Sequence, residues 1–217
     1  MSIRLAVFDC DGTLVDGQAA VCNAMEAAFT EAGLPPPERH DIRRIVGLSL
    51  PMAMRRLAPE LAEDAVPDLV AGYKSAFFAA REAGQVVEPL YEGIRALLDD
   101  LRRTGWLLGV ATGKSDRGLK GCLARHGLID HFMTLQTADR HPSKPHPSML
   151  EQAMEDAFAK AGQTTMIGDT VFDIEMARAA GVRPIGVAWG YHDTQELMDA
   201  GAHGVAATAQ ELAELLA

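Results

Sequence analysis

Short apolar segments alternate with longer amphipathic ones over most of the chain. The short segments are typical of buried β-strands, because each is too short for a helix and most end at Gly, Asp or Thr. They cover residues 3–8, 106–111, 132–135, 165–167 and 184–188. Between them, apolar residues repeat every three or four positions, which indicates helices with one buried face. The alternation predicts an α/β fold with a Rossmann-like parallel sheet and helices on both faces.

One stretch, residues 17–84, has helical patterns and no strand pattern. It predicts an all-helical domain inserted after the first strand. The α/β core would then comprise residues 1–16 and 85–217. The connecting segments would be residues 15–17 and 84–93, where glycines permit bending.

Composition narrows the function classes. The chain has 217 residues and a net charge of −10, which argues against nucleic acid as a partner, since that requires a basic face. No apolar run approaches the ~20 residues of a membrane span, and the first residues do not resemble a signal peptide. Three cysteines without a CxxC pair fit a reducing cytoplasm. Composition leaves the oligomeric state open.

The first strand ends in two carboxylates, Asp9 and Asp11, separated by one residue. Such groups at the end of a buried strand are costly to desolvate, so a cation or a substrate is expected to compensate them. A calcium loop would need a third ligand, a glycine and a closing Glu. Those positions hold Thr13, Leu14 and Ala20, which excludes that alternative.

The second strand ends in Thr112-Gly113-Lys114. The segment from Gly109 is one residue too short for a nucleotide-binding P-loop. A hydroxyl and free backbone N–H groups at a strand-to-helix turn suit a phosphate, although a simple helix-capping turn is an alternative interpretation.

Two later segments add charged groups. Lys144 lies among three prolines, which would hold its ammonium in place toward an anion; a solvated loop lysine is the alternative. Asp169 follows a strand, and Asp173 lies four residues on, so both would face one point. Stabilisation of a helix N-terminus could also explain Asp173.

The carboxyl ends of parallel strands line the ligand crevice of an α/β sheet. About four negative charges would therefore meet there, and such a cluster favours Mg²⁺. The four carboxylates are those of Asp9, Asp11, Asp169 and Asp173, and Thr112 and Lys144 would bind phosphate.

In order and spacing, these segments resemble the four motifs of the haloacid dehalogenase-like hydrolases. The resemblance covers essentially the whole chain. The helical insertion resembles the cap of the phosphoglycolate phosphatase subgroup. The matching segments are Asp9-Cys10-Asp11-Gly12-Thr13, Thr112-Gly113-Lys114, Lys144-Pro145 and Gly168-Asp169 through Asp173.

The resemblance implies a role for each residue. Asp9 would be the nucleophile that forms an aspartyl-phosphate, and Asp11 the general acid and then the base. Thr112 and the N–H of Gly113 would bind phosphoryl oxygens, while Lys144 would neutralise them and orient Asp9.

It also implies a metal cofactor and a reaction class. Mg²⁺ would be bound by Asp9, the Asp11 carbonyl and Asp169, with support from Asp173. The expected activity is hydrolysis of a small phosphomonoester. A pyrophosphatase, a sugar-phosphate mutase and a non-catalytic module that binds a phosphorylated metabolite are the alternatives.

The cap is expected to select the substrate. Gly47 and Ser49 interrupt two cap helices and would enter the active site, and Tyr73 and Lys74 resemble a pair found in phosphatase caps. Alternatively, the residues around Gly47 pack in the core of the cap, and Lys74 lies on a solvent-exposed helix face without contacting the substrate. A cationic or hydroxyl-bearing cap would suit a carboxylate, which ranks phosphoglycolate first.

Overall fold

The computed structural model of the protein describes residues 3–217. The strands in this part of the chain are β1 (Leu5–Phe8), β2 (Leu107–Thr112), β3 (Thr134–Thr137), β4 (Thr164–Gly168), β5 (Arg183–Val187) and β6 (Val205–Ala206). They form one sheet in the order β3-β2-β1-β4-β5-β6, and every neighbouring pair is parallel. The central position of β1 brings its end between those of β2 and β4.

Four helices separate β1 from the rest of the core: α1 (Gln18–Glu31), α2 (Arg39–Arg44), α3 (Leu50–Leu57) and α4 (Val66–Glu82). The remaining helices are α5 (Ile94–Arg103), α6 (Asp116–Arg125), α7 (Ser148–Asp156), α8 (Val171–Ala179), α9 (Thr194–Ala200) and α10 (Ala209–Leu216). The predicted α/β fold with a helical insertion is confirmed. The exact domain boundaries, 1–16 with 85–217 and 17–84, stay a prediction.

Side chains of the buried β1 strand point alternately to two apolar layers. Ala6 and Phe8 pack with α5, α6 and α10 on one face of the sheet. Leu5 and Val7 pack with α7 and α8 on the other face. A strand covered on both faces must be apolar throughout, which is why its sequence shows a continuous apolar run.

The third strand lies two residues later than the apolar run predicted, at Thr134–Thr137 instead of 132–135. Its polar positions are buried because side chains pair with one another. Gln136 donates from Nε2 to Thr134 Oγ1 at 2.7 Å and to Asp156 Oδ2 at 2.8 Å. Hydropathy alone cannot locate a strand whose buried polar side chains are hydrogen-bonded to other side chains.

The sequence analysis did not predict β6 or the helices α9 and α10. Strand β6 has two residues, too few for a period-2 pattern to be recognised. Helix α10 does carry a local signal, because the hydroxyl of Thr208 accepts a hydrogen bond from the N–H of Glu211. A Thr followed three residues later by Glu is a known N-terminal capping pattern.

The two connections to the helical insertion run side by side. Val15 and Leu90 form an antiparallel bridge, and the N–H of Asp16 donates to the Pro89 carbonyl at 2.9 Å. The N–H of Tyr91 donates to the Leu14 carbonyl at 3.1 Å. The insertion is therefore attached through one narrow, hydrogen-bonded neck.

The helices α1–α4, called the cap below, enclose an apolar cluster that Phe172 of α8 joins from the core. An ion pair also crosses this interface, with Arg44 Nη2 2.6 Å from Glu196 Oε1. Within residues 3–217, none of the helices combines the length and apolar character needed to cross a bilayer.

Candidate active site

Three buried carboxylates meet at the carboxyl edge of the sheet. Asp9 follows β1, Asp169 follows β4, and Asp173 lies in the first turn of α8. Each offers an oxygen within 4.8 Å of the other two, and all three residues are fully buried. Adjacent strands ending in register bring Asp9 and Asp169 together. Like charges this close and this buried require a compensating cation.

Lys144 supplies one positive charge within this cluster. Its Nζ lies 2.6 Å from Asp173 Oδ1 and 3.0 Å from Asp9 Oδ1, and the residue is 1% exposed. Burial acts to lower the pKa of Lys144, but Asp173 and Asp9 raise it above its usual value, so the side chain stays charged. Burial raises the pKa of Asp9 to about 7, against the opposing effect of Lys144.

The other two carboxylates are oriented by hydrogen bonds. Asp169 accepts from the Thr13 hydroxyl at 2.8 Å and from the N–H of Tyr191 at 2.9 Å. Asp173 accepts at Oδ2 from the hydroxyl and N–H of Thr170, in a capping box at the start of α8. Burial, then Asp173 and Asp9, raise the pKa of Asp169. The cluster is therefore preorganised, yet short of positive charge.

These residues fit a divalent metal with a preference for oxygen. Asp9 Oδ2 is buried and has no hydrogen-bond partner among residues 3–217, so it is available for a ligand. Three convergent carboxylates without nearby sulfur or imidazole ligands suit Mg²⁺ better than zinc. A bound cation would offset the repulsion that raises the pKa values of Asp9 and Asp169.

The carboxylate of Asp11 lies outside this cluster, which differs from the expected convergence of four negative charges. Its Oδ1 is 3.0 Å from Nζ of Lys114, which also contacts Glu88 at 2.8 Å. The three carboxylates that lie within 4.8 Å of one another do not include that of Asp11, although Asp11 lines the same cavity as Asp9. The carbonyl of Asp11 as a metal ligand stays a prediction.

Sequence analysis missed Glu88 altogether. It lies in the second connection to the cap, and its carboxyl group is buried between two cations, Lys114 and Arg81. One acidic residue in a predicted linker gives no signal of burial, because its partners belong to other elements: Arg81 lies in α4, and Lys114 lies 26 positions away after β2.

Thr112 and Gly113 lie where β2 ends, beside Asp9 and Asp11. Thr112 is buried, and its hydroxyl accepts a hydrogen bond from the N–H of Lys114 at 3.3 Å. A side chain at Gly113 would overlap the carbonyls of Gly47 and Leu48. The cap loop therefore touches the core at this glycine, and backbone N–H groups border the site.

The predicted cap residues divide into two groups. Gly47, Tyr73 and Lys74 line the cavity between cap and core. Ser49 is not among the lining residues; its N–H donates to the hydroxyl of Ser143 at 2.8 Å, which joins the cap loop to the core. Lys74 is exposed, and Tyr73 stacks on Phe77 with ring centroids 6.0 Å apart.

The cavity has a volume of about 330 Å³, which is within the range of small-ligand sites. One end holds the polar groups at the strand ends, and the cap contributes a largely apolar wall. Lining residues at the polar end are Asp9, Asp11, Thr112, Gly113 and Lys114, and those of the apolar wall include Val21, Met25, Ile45, Leu48, Phe77 and Phe78. A molecule with one strongly polar end fits this division.

Comparison with known proteins identifies the family. The model of the haloacid dehalogenase-like hydrolases matches residues 6–187. This chain belongs to that family. The resemblance recognised in the four motifs is thereby confirmed, together with the fold.

Several relatives of this haloacid dehalogenase-like hydrolase are named as phosphatases. It is 37% identical to a probable phosphatase, IndB, of Dickeya dadantii, over 89% of this chain and 84% of the relative. It is 28% identical to a phosphoglycolate phosphatase of Vibrio parahaemolyticus over 99% and 96% of the two chains. A crystal structure of a predicted phosphatase from Clostridium acetobutylicum superposes with a TM-score of 0.89 at 25% identity, covering 100% and 99% of the chains.

The close packing of the carboxylates predicts that the stability of the fold depends on a glycine at position 168. A Cβ at this position would overlap the side chain of Asp173, which cannot move without losing Lys144. We expect Gly168→Ala to lower the free energy of unfolding by about 1–3 kcal/mol, the usual cost of overpacking. Urea denaturation measures it. The matched control is Gly162→Ala, because no atom lies within 4 Å of its Cβ position. Equal stability of the two variants would contradict the prediction.

Proposed function

We propose that this hydrolase removes the phosphate from a small phosphomonoester in a Mg²⁺-dependent reaction. The observation that carries the proposal is the buried Oδ2 of Asp9 at the polar end of the cavity, which has no hydrogen-bond partner among residues 3–217. A carboxylate oxygen that is desolvated and not hydrogen-bonded is available for attack or for metal coordination. The names of the relatives support the same reaction class.

The first step would transfer the phosphoryl group to Asp9. One of its carboxylate oxygens forms a bond to phosphorus while the bond to the ester oxygen breaks, and Asp11 donates a proton to that oxygen. When bound to Asp9, Asp169 and Asp173, Mg²⁺ supplies charge that screens repulsion between the nucleophile and the phosphate. Lys144, 3.0 Å from Asp9, adds to this screening.

The second step would hydrolyse the aspartyl-phosphate. Asp11, now ionised, takes a proton from water, whose oxygen attacks phosphorus and releases inorganic phosphate and free Asp9. Burial raises the pKa of Asp11, which favours a carboxyl group that carries a proton for the first step. Thr112 and the N–H of Gly113 would bind the phosphoryl oxygens in both steps.

The substrate must fit beneath the cap, which favours a small phosphorylated metabolite over a phosphoprotein. Phosphoglycolate, ranked first from the sequence, is supported by the name of one relative and by Lys74 in the cavity wall. A pyrophosphatase or a sugar-phosphate mutase would use the same phosphoryl site. Three buried free thiols support the proposal of a reducing, cytoplasmic location.

Substitution of the two aspartates tests the mechanism. We expect Asp9→Asn to abolish turnover with the fold retained, because the amide is a poor nucleophile. Asp11→Asn should slow the reaction about 10²–10⁴-fold, the usual contribution of general acid–base catalysis. Phosphate release from a generic aryl phosphate and circular dichroism measure the two properties. Near-normal turnover by Asp9→Asn would refute the mechanism. If the wild-type protein does not turn over the aryl phosphate, a non-catalytic binding module would be favoured.

Metal dependence has a test that does not depend on activity. We expect Mg²⁺ to raise the Tm of the protein, since a ligand that binds only the folded state stabilises it. Asp169→Asn should remove that shift, whereas Asp199→Asn, an exposed control, should keep it.

Activity provides a second test of metal dependence. Turnover should stop in a chelator and fall when Ca²⁺ competes, because Ca²⁺ accepts bidentate carboxylates. Full activity in a chelator would refute a metal-dependent site.

The cap residues are expected to affect selectivity rather than chemistry. Substitutions Tyr73→Ala and Lys74→Ala should change the relative kcat/KM across a panel of phosphorylated metabolites that includes phosphoglycolate. Hydrolysis of a generic aryl phosphate should remain largely intact, because the phosphoryl site is untouched. Equal losses on every substrate would assign these residues a structural role only.

A further inference from the structure

Glu88 is a buried acidic residue to which the proposed reaction assigns no role. Its side chain is 1% exposed, with Oε1 2.8 Å from Lys114 Nζ and Oε2 2.9 Å from Arg81 Nη2. Burial acts to raise the pKa of Glu88, but Lys114 and Arg81 hold it below its usual value, so the carboxylate is charged. A buried ion pair is costly to desolvate and is weak evidence for stability alone.

Lys114 connects Glu88 to the proposed acid–base residue. Its Nζ is 2.8 Å from Glu88 and 3.0 Å from Asp11 Oδ1, so a single ammonium lies between two carboxylates. Lys114 is the ion-pair partner that residues 3–217 provide for Asp11. The position of Lys114 therefore governs the orientation of the Asp11 carboxylate.

The backbone around Glu88 is held to the core. Its carbonyl is 2.7 Å from Nε2 of His126, and the nearby Val86 carbonyl accepts from Arg125 Nη1 at 2.8 Å. Helix α6, which ends at Arg125, begins two residues after Lys114. Glu88 and Lys114 are thus fixed relative to one another by the same helix.

The second cation that contacts Glu88, Arg81, comes from the cap. Arg81 lies in α4, where its guanidinium also packs over the ring of Phe77, 5.2 Å from the centroid. Phe77 lines the substrate cavity. The carboxylate of Glu88 therefore links the cap helix to the lysine beside Asp11.

We propose that Glu88 is a positioning residue: through Lys114 it orients Asp11 toward the leaving oxygen, and through Arg81 it makes that orientation depend on the position of the cap. This inference rests on the proposed role of Asp11. A proton donor must lie within hydrogen-bond reach of its acceptor, and a displacement of about 1 Å can reduce a rate about 100-fold.

The test exploits leaving-group dependence. Benzyl phosphate has a poor leaving group that needs a proton, whereas 2,4-dinitrophenyl phosphate has a good one that does not. Both have an aromatic ring, so both present similar bulk to the cavity. Rapid-quench measurement of the first turnover with Mg²⁺ isolates aspartyl-phosphate formation from the later hydrolysis.

We expect Glu88→Gln and Lys114→Met each to slow the first turnover of benzyl phosphate by about 10- to 100-fold. With 2,4-dinitrophenyl phosphate the rate of Glu88→Gln should fall less than about threefold, and Lys114→Met should lose less than it loses with benzyl phosphate. Lys114→Arg should restore part of the loss, because it keeps the charge. The double variant should lose little more than either single variant, since coupled residues are not additive.

The matched control is Glu196→Gln, which breaks the other ion pair between cap and core, Arg44–Glu196, without touching Asp11. It should leave the ratio of the two rates unchanged. Tm values report on folding, and Lys114→Met provides the test if Glu88→Gln does not fold.

Two failures are distinguishable. Equal losses on both substrates would mean that Glu88 is structural, and would overturn this inference while Asp9 and Asp11 keep their roles. Absence of wild-type turnover with both substrates, or turnover that survives Asp9→Asn, would overturn the proposed function and this inference with it.

Discussion

Burial of like charges at one end of the sheet is the constraint on which the site depends. Asp9, Asp169 and Asp173 lie in a desolvated cluster that is held together by Lys144 and by donors from the surrounding loops. Removal of any of these partners would leave a buried charge without compensation, at a cost of several kcal/mol. Glycines at 12, 168 and 190 leave the space that these carboxylates occupy. The positions of strand ends, loops and glycines therefore follow from one electrostatic requirement.

Two aspartates that are almost adjacent in sequence have different environments. Asp9 pairs with Lys144 and belongs to the cluster of three carboxylates, whereas Asp11 pairs with Lys114, which also pairs with Glu88. Two carboxylates with separate partners can perform separate tasks in one reaction. The fold achieves this with one tight turn and two lysines from different loops.

The cap contributes through contacts that cross from one part of the chain to the other. Its apolar cluster includes Phe172, its loop carbonyls abut Gly113, and its cations Arg44 and Arg81 pair with acidic partners outside it. These contacts bring cap and core together around the cavity at the strand ends. A cavity with few surrounding water molecules has a low effective dielectric constant, which strengthens electrostatic interactions among the groups that line it.

The pattern of apolar runs and helical repeats was sufficient to predict the parallel sheet and the helical insertion, and the resemblance of four short motifs was sufficient to recognise the family. Periodicity and short motifs are local properties, so they survive in a single sequence. Where the local signal was misleading or weak, prediction failed: polar residues buried in β3 displaced its bounds, and the two residues of β6 carried no recognisable pattern.

The sequence by itself also singled out candidate site residues, because the strand-end motifs contain Asp9, Thr112, Lys144 and Asp169. Only the tertiary structure decided how they are grouped. It placed the Asp11 carboxylate outside the cluster of Asp9, Asp169 and Asp173 and buried Glu88 between Lys114 and Arg81. It also gave the Ser49 backbone, rather than its hydroxyl, a partner. These outcomes depend on the three-dimensional direction of each side chain and on partners from other elements, such as Lys114 and Glu88, which lie 26 positions apart in the sequence. Charge pairing acts through space, and no local pattern records it.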